Sequence, residues 1–406
     1  MKFAHMADCH IGGWRDPKLR DIATDAFIRA VDMCINQNID FILISGDLFN
    51  TSLPTIDRLK QVVRQLKKLK TNKIPVYVIA GSHDYSPSGK TMIDVLHEAG
   101  LCKNVLKNAE TLENGKLKLN FIVDEKTNAK ITGMLGLKGG LEKTHYENLV
   151  RENLESEQGY KIFMFHSTID ELKPKEFEKV DSSPISLLPK GFDYYAGGHV
   201  HIIKEENLDN YKNVIYPGPL FPNNFDELVK LKGTGGLYIV TDNNPEWHPI
   251  KIYNYHHIEL DCSNKLPEEV FQDLYEKIKN NEFIDTIITI KLSGQLKSGK
   301  PSDINFKEFY TQLYDKGAYF VMRNTSKLTS EEFEEIKIET DSDNVESNLI
   351  KEHLGQVKVK DWDIEKEEGM TKTLMQSFNS EKQEGERVID YEERIRREID
   401  SILNLI

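Results

Sequence analysis

The sequence predicts an α/β protein: a two-sheet sandwich flanked by helices, then a small α+β unit and C-terminal helices. Three observations carry that prediction. Buried-strand runs alternate with helices at the start of the chain, short strand-like runs separated by turns follow, and residues able to bind metal sit just past predicted strand ends.

Lys2 to Ala7 is an apolar-biased strand, and Leu19, Ile22, Ala23, Phe27, Ile28 and Val31 recur at helical spacing. Phe41-Ile42-Leu43-Ile44 reads as a buried strand. A Lys/Arg-rich helix from Ile56 to Leu69 turns Leu59, Val62, Val63, Leu66 and Leu69 inward. Pro75 to Ala80 is another buried strand and Thr91 to Ala99 another helix, which is βαβ order. From about 115 to 137 the pattern is strand-like, with turns at Glu113-Asn114-Gly115 and Lys126-Thr127-Asn128, and Glu142 to Glu155 reads as one charged helix. Strands are expected at Lys161 to Phe165, Tyr194 to Ala196, Val214 to Tyr216, Gly236 to Val240 and Ile250 to Tyr253. These form a first domain, 1–255.

A second unit, 256–338, reads as strand His257 to Leu260, helix Pro267 to Ile278, strand Thr286 to Leu292, helix Phe306 to Lys316 and strand Ala318 to Arg323. From 339 to 406 the sequence is polar, with helices expected at Val345 to Leu354 and Thr371 to Phe378. Tyr391, Ile395, Ile399, Ile402 and Ile406 then recur every three or four residues on a Glu/Arg-rich helix, which either folds back on its own domain or docks a partner.

Composition narrows the classes. The 406 residues carry 53 Lys+Arg against 66 Asp+Glu, a formal charge of -13, so nucleic acid cannot be held by bulk charge and any such role needs local bases or bound metal. Two places offer local bases: the helix bearing Arg58, Lys60, Arg64, Lys67, Lys68 and Lys70, and the loop bearing Lys297 and Lys300. Cys9, Cys34, Cys102 and Cys262 have no paired spacing and read as reduced thiols. The amino terminus has an acid and histidines where a secretory signal needs an apolar core, and no run of about 18 apolar residues occurs, so no membrane role and a cytoplasmic location are expected.

The chemistry lies in five clusters: Asp8-Cys9-His10, Gly46-Asp47, Gly81-Ser82-His83-Asp84, His166, and Gly197-Gly198-His199-Val200-His201. Loops at the carboxyl ends of strands in an open α/β sheet converge on one crevice, so these residues can meet there. Each alone is weak, since Gly-Asp is a common turn and a lone His is usually a core residue. Together, Asp8, Asp47 and five histidines would be costly to bury unpaired, and a metal cluster accounts for them. The mixed oxygen and nitrogen set suits manganese, iron, zinc or cobalt, and strand alternation points Cys9 away. There are too many donors for one ion, which implies two, bridged by a carboxylate such as Asp47. An ion pair of that kind suits phosphoester hydrolysis.

At these residues the chain resembles the calcineurin-like metallophosphoesterases, whose signature runs Asp-x-His, Gly-Asp, Gly-Asn-His-Asp/Glu, His and Gly-His-x-His. The segments His5 to Gly12, Gly46-Asp47-Leu48-Phe49, Gly197 to His201 and Tyr216-Pro217-Gly218-Pro219-Leu220 are similar to one branch, the SbcD-type or meiotic-recombination-eleven nucleases of DNA double-strand break repair. The resemblance implies a metallophosphoesterase sandwich over 1–255, a DNA-capping domain over 256–338, and C-terminal helices that dock an SbcC-type coiled-coil ABC ATPase. It implies that Asp8, His10, Asp47 and His201 hold one ion, and that Asp47, Ser82, His166 and His199 hold the other, usually manganese. His83 would contact the scissile phosphate and protonate the leaving oxygen, with Asp84 orienting it. A homodimer through a four-helix bundle is also implied, using the helix Leu19 to Cys34 or Ile56 to Leu69.

Two positions depart from that family. Ser82 stands where an Asn ligand is usual, which predicts a weaker second site, and Asn50 stands where many members carry a second histidine, which predicts impaired exonuclease action. The leading expectation is a two-metal DNA endo/exonuclease acting on DNA ends. The alternatives are a phosphatase or cyclic-nucleotide phosphodiesterase on the same centre, and a DNA-end-binding scaffold with feeble nuclease.

Overall fold

Short, mainly apolar runs such as Phe41–Ser45, Val76–Ile79 and Lys161–His166 become the inner strands of two facing sheets. A computed structural model describes residues 1–330 except 87–88, 138–140 and 176–180, and beyond them residues 366, 369–371, 373–374, 377, 380 and 388–403. The first sheet runs, edge to edge, Asn244–Ile250, Gly235–Thr241, Lys2–Met6, Phe41–Ser45, Val76–Ile79 and Lys103–Asn104. Lys2–Met6 pairs parallel with Phe41–Ser45, placing Ala4 beside Ile42, and antiparallel with Gly235–Thr241. The second sheet runs Ile203–Leu208, Tyr211–Pro217, Tyr194–Gly198, Lys161–His166, Lys130–Gly133 and Ile122–Val123.

Between the sheets lies an aromatic core of Phe3, Phe41, Tyr77, Tyr194 and Tyr238 with Ile162, Met164 and Ile215. Phe3 stacks on Phe41 at 5.0 Å between ring centroids and meets Tyr194 edge-on at 5.1 Å. Strands buried on both faces read as continuous apolar runs, which is why Phe41–Ser45 and Lys161–His166 are wholly buried. The outer face of the first sheet is covered by helices Pro17–Asn36 and Ile56–Thr71. The former is capped by the Asp16 carboxylate, which accepts from Lys18 N, and it buries Leu19, Ile22, Phe27 and Val31.

A three-stranded parallel sheet, Asn254–Asp261, Thr286–Leu296 and Ala318–Ser330, buries one face under helices Pro267–Ile278 and Phe306–Asp315. Its other face brings Tyr253, Tyr255, Tyr319 and Phe320 onto the core of the first sheet, with Tyr253 and Tyr319 stacked at 3.9 Å. Residues Met1–Glu332 form one compact unit and Phe333–Ile406 a second. In the second, Val388–Ile402 is a helix, while the helix expected at 345–354 lies outside the described residues. Residues 369–371, 373–374 and 377 are helical, within the expected Thr371 to Phe378 segment and just before it. Among the described residues no helix is long and apolar enough to cross a membrane.

Three expectations need correction. The charged helix Glu142 to Glu155 is two short helices, Glu142–Glu147 and Glu152–Glu155. The break arises because Leu117 N donates to Asn148 O and Val150 N to Leu117 O, so tertiary strand pairing wins over helix propensity. The strand expected at Ile250 to Tyr253 lies earlier, at Asn244–Ile250, on the sheet edge where its two prolines forfeit no ladder bonds. The edge strand Ile203–Leu208 had no counterpart in the expected pattern.

Candidate metal centre

Every one of the five clusters lies at the carboxyl end of a strand or just past it, and the two sheets bring those ends together. Asp8 and His10 follow Lys2–Met6, Asp47 follows Phe41–Ser45, and Ser82, His83 and Asp84 follow Val76–Ile79. His166 ends Lys161–His166, and His199 and His201 follow Tyr194–Gly198. The loops are laced by main-chain bonds: Asp8 N donates to Gly46 O, His10 N to Asp47 O and Ile11 N to Leu48 O. Across the sheets, His199 N donates to Asp8 Oδ1 at 2.9 Å.

Five of the donors adopt left-handed backbone: Asp8 (φ 50°), His10 (41°), Asp47 (50°), His199 (97°) and His201 (52°). Such conformations cost on the order of 1–3 kcal/mol each in a non-glycine residue and persist only where the surroundings enforce them. Here the lacing enforces them, and it turns the side chains inward.

Three overlapping groups result, each with donor atoms within 4.8 Å of one another: Asp8, His10 and His201; His10, Asp47 and His83; Asp47, His166 and His199. His10 Nε2 and His201 Nε2 approach to 2.9 Å, and His10 Nε2 lies 3.6 Å from Asp47 Oδ2. Asp47 is common to two groups. Ser82 Oγ lies 3.5 Å from Asp47 Oδ2 and is buried.

The imidazoles are fixed from behind. His166 Nδ1 donates to Ser45 O at 2.8 Å, His10 Nδ1 lies 3.2 Å from Asn50 Oδ1, and His201 Nδ1 lies 2.9 Å from Glu227 Oε1. All three present Nε2 to the cluster. Around His166 the chain can come this close only because of glycine: a Cβ on Gly46 (φ +87°) would stand 2.2 Å from His166 Nδ1, and one on Gly136 2.4 Å from His166 Cδ2. His83 Nδ1 donates to Asn50 O at 2.9 Å, and its backbone N–H reaches Asp47 Oδ1 at 2.7 Å.

Asp84 does not take the place expected of it beside His83. Its carboxylate accepts from Leu48 N, Phe49 N and Gly81 N at 2.9 to 3.1 Å, so it braces the Gly46-Asp47 loop against the Gly81 turn. The parallel pairing of their strands stacks these loops side by side, and the carbonyl of Asn50 holds the His83 ring instead. Asn50 thus serves two histidines, one through its amide and one through its main chain. Glu227 was not foreseen, because in Asn224-Phe225-Asp226-Glu227 it looks like the third residue of a capped helix, and indeed Asn224 Oδ1 accepts from Glu227 N.

The electrostatics favour a cation. Burial pushes the His10 and His199 imidazoles down to about 3. Burial opposes charge on His166 and His201 as well, yet Asp47 beside the first and Asp8 beside the second outweigh it and push them up to about 10 and about 9. Burial and then the Asp47 charge push Asp84 up to about 7. The carboxylates therefore pull positive charge into the cluster. His166 Nε2 is wholly buried and has no hydrogen-bond partner, although it lies 3.2 Å from Asp47 Oδ2. A buried orphan nitrogen beside a carboxylate, within a mixed N/O donor set, fits a divalent ion.

Of the candidate DNA-binding bases, Lys60, Arg64, Lys67, Lys70, Lys297 and Lys300 are exposed, while two are engaged by neighbouring side chains. On the Ile56–Thr71 helix, Arg58 is engaged by Asp21 and Thr24, and Lys68 by Asp32, all on the neighbouring helix.

Comparison with known proteins adds three findings. Residues 1–202 match the family model of the calcineurin-like phosphoesterases. A DNA double-strand break repair protein Mre11 of Methanococcus maripaludis is 28% identical over 390 residues, 93% of this chain and 96% of that protein. Proteins of the same description from Methanocaldococcus jannaschii (28% identical; 87% of this chain, 89% of that protein) and Sulfurisphaera tokodaii (26%; 87% and 88%) are also similar to it.

Proposed function

The chain belongs to the calcineurin-like phosphoesterases and is a metal-dependent phosphodiesterase, and from that premise we propose that it is a two-metal nuclease acting on DNA ends in double-strand break repair. The observation that carries this reading is the sharing of Asp47 between donor groups at the crossing of the two sheets. Asp8, His10, Asp47 and His201 would hold one ion, and Asp47, Ser82, His166 and His199 the other, with manganese the favoured metal. When bound, such a pair supplies Lewis acidity toward the phosphoryl oxygens and acidifies water at the centre.

The chain's own residues do the rest. Asp84 holds the loops of Asp47 and Gly81 together, and the Ser45 carbonyl, the Asn50 amide and Glu227 hold the rings of His166, His10 and His201. With Nδ1 committed to the Asn50 carbonyl, His83 has Nε2 available to pass a proton to the departing sugar oxygen. The three-stranded unit would cap the DNA. In the C-terminal unit, the helix Val388–Ile402 carries Tyr391, Ile395, Ile399 and Ile402 along one side, a stripe suited to a coiled-coil ATPase of the SbcC type. A homodimer is supported by Leu53 and Ile56, 80% and 83% exposed at the start of the Ile56–Thr71 helix. The protein would act in the cytoplasm, on chromosomal DNA.

The test is cleavage of an end-labelled linear duplex and a circular single strand in manganese, magnesium or EDTA. Manganese-dependent cutting that falls roughly 10²- to 10⁴-fold in His83→Gln, with manganese uptake retained, is the expected result. No cutting in any metal by a chain that still binds two ions would overturn the nuclease reading.

A further inference from the structure

One half-buried carboxylate, 17% exposed, stands behind the donor cluster and not within it. Glu227 lies on the helix Phe225–Lys230, outside every sequence cluster, yet its Oε1 stands 2.9 Å from His201 Nδ1 and its Oε2 accepts from Asn223 N at 2.8 Å. The helix packs on the strand Thr286–Leu296, and Asn224 caps it, accepting from Glu227 N at 2.9 Å. The carboxylate is therefore held in place independently of His201.

We propose that Glu227 is the positioning residue of the Asp8–His10–His201 side of the centre, setting the tautomer and the aim of His201. The proposal rests on the metal reading above. A carboxylate only accepts, so the proton between it and His201 belongs on Nδ1, which leaves the Nε2 lone pair directed at His10 and Asp8. His10 and His166 are fixed by neutral carbonyl oxygens, whereas His201 is fixed by a carboxylate. A carboxylate behind an imidazole raises its basicity as a ligand as well as orienting it. His201, the most solvent-accessible of these three rings, would otherwise be the easiest to turn away, since its side chain keeps 20% of its surface exposed against 4% for His10 and none for His166.

The experiment is a calorimetric manganese titration of the full-length chain, comparing wild type, Glu227→Ala, Glu227→Gln and Asn224→Ala, with DNA cleavage measured separately. Glu227→Ala should weaken one of the two binding events roughly 10- to 100-fold and leave the other unchanged. Glu227→Gln keeps an acceptor oxygen and should recover most of that loss. Asn224 Nδ2 also donates to Glu227 Oε1 at 2.6 Å, so Asn224→Ala loosens the cap and one tether of the carboxylate and should cost clearly less than Glu227→Ala. Wild-type affinities in Glu227→Ala, or an equal loss in Asn224→Ala, would overturn the proposal by reducing Glu227 to part of a helix cap. A wild-type chain that takes up no manganese would overturn the metal reading with it, whereas cleavage with unchanged affinities in Glu227→Ala would overturn the positioning role alone.

Discussion

The two sides of the candidate metal centre are built from different materials. On the His166 side the main chain does the work: the Ser45 carbonyl holds Nδ1, Gly46 and Gly136 crowd the ring, and His166 is 1% exposed. On the His201 side, side chains do it, through the Asn50 amide and the Glu227 carboxylate, nearer to solvent. A main-chain scaffold resists substitution except at its glycines. A side-chain scaffold can be retuned one residue at a time, and Asn50 is one such position.

The comparison breaks first at Asp47, whose Oδ2 lies 3.6 Å from His10 Nε2 and 3.2 Å from His166 Nε2. Asp47→Asn should weaken manganese uptake at both by roughly 10²-fold or more and lower cleavage beyond any one-sided change, as a two-site titration would show. Loss at one side only would mean that Asp47 is not shared. Next comes Gly136→Ala, whose new methyl meets the His166 ring and should destabilise the fold by about 1–3 kcal/mol in urea unfolding while the His201 side keeps its affinity. Adding manganese at a hundredfold excess over Kd should stabilise the wild type by about 2.7 kcal/mol for each ion bound in the same assay, and EDTA should remove that gain. On the other side, Asn50→Ala should cost roughly tenfold in manganese affinity and Asn50→Asp almost nothing, because aspartate keeps the acceptor that faces His10. Equal losses in both would assign the effect to the Asn50 main chain. The smallest effect belongs to Lys68→Ala, an exposed partner of Asp32 far from either side, expected below about 1 kcal/mol and without change in metal binding.

The same contrast explains what could be read from the sequence. Asp8, His10, Asp47 and the other clustered residues were legible because each follows a recognisable apolar strand, and strand ends converge whatever lies between them. Glu227 was not, because nothing local distinguishes a helix-cap glutamate from one that also reaches His201, 26 residues away. The dual role of Asn50 was hidden for a similar reason, since half of it belongs to a carbonyl that every residue has. The edge strands fared worst. Ile203–Leu208 alternates exposed and half-buried residues with Lys and Glu, and Asn244–Ile250 contains two prolines, so neither has the composition of a central strand. The single helix expected at 142–155 failed because the partner that interrupts it, Leu117, lies about thirty residues earlier.

The left-handed backbone at Asp8, His10, Asp47, His199 and His201 has a consequence for the thermodynamics of loading. The conformational entropy of arranging these donors is lost when the chain folds, not when an ion arrives. Ion uptake should therefore proceed with little change in hydrogen exchange across the five loops, and the folded protein should carry its strain as reduced intrinsic stability, recovered as affinity.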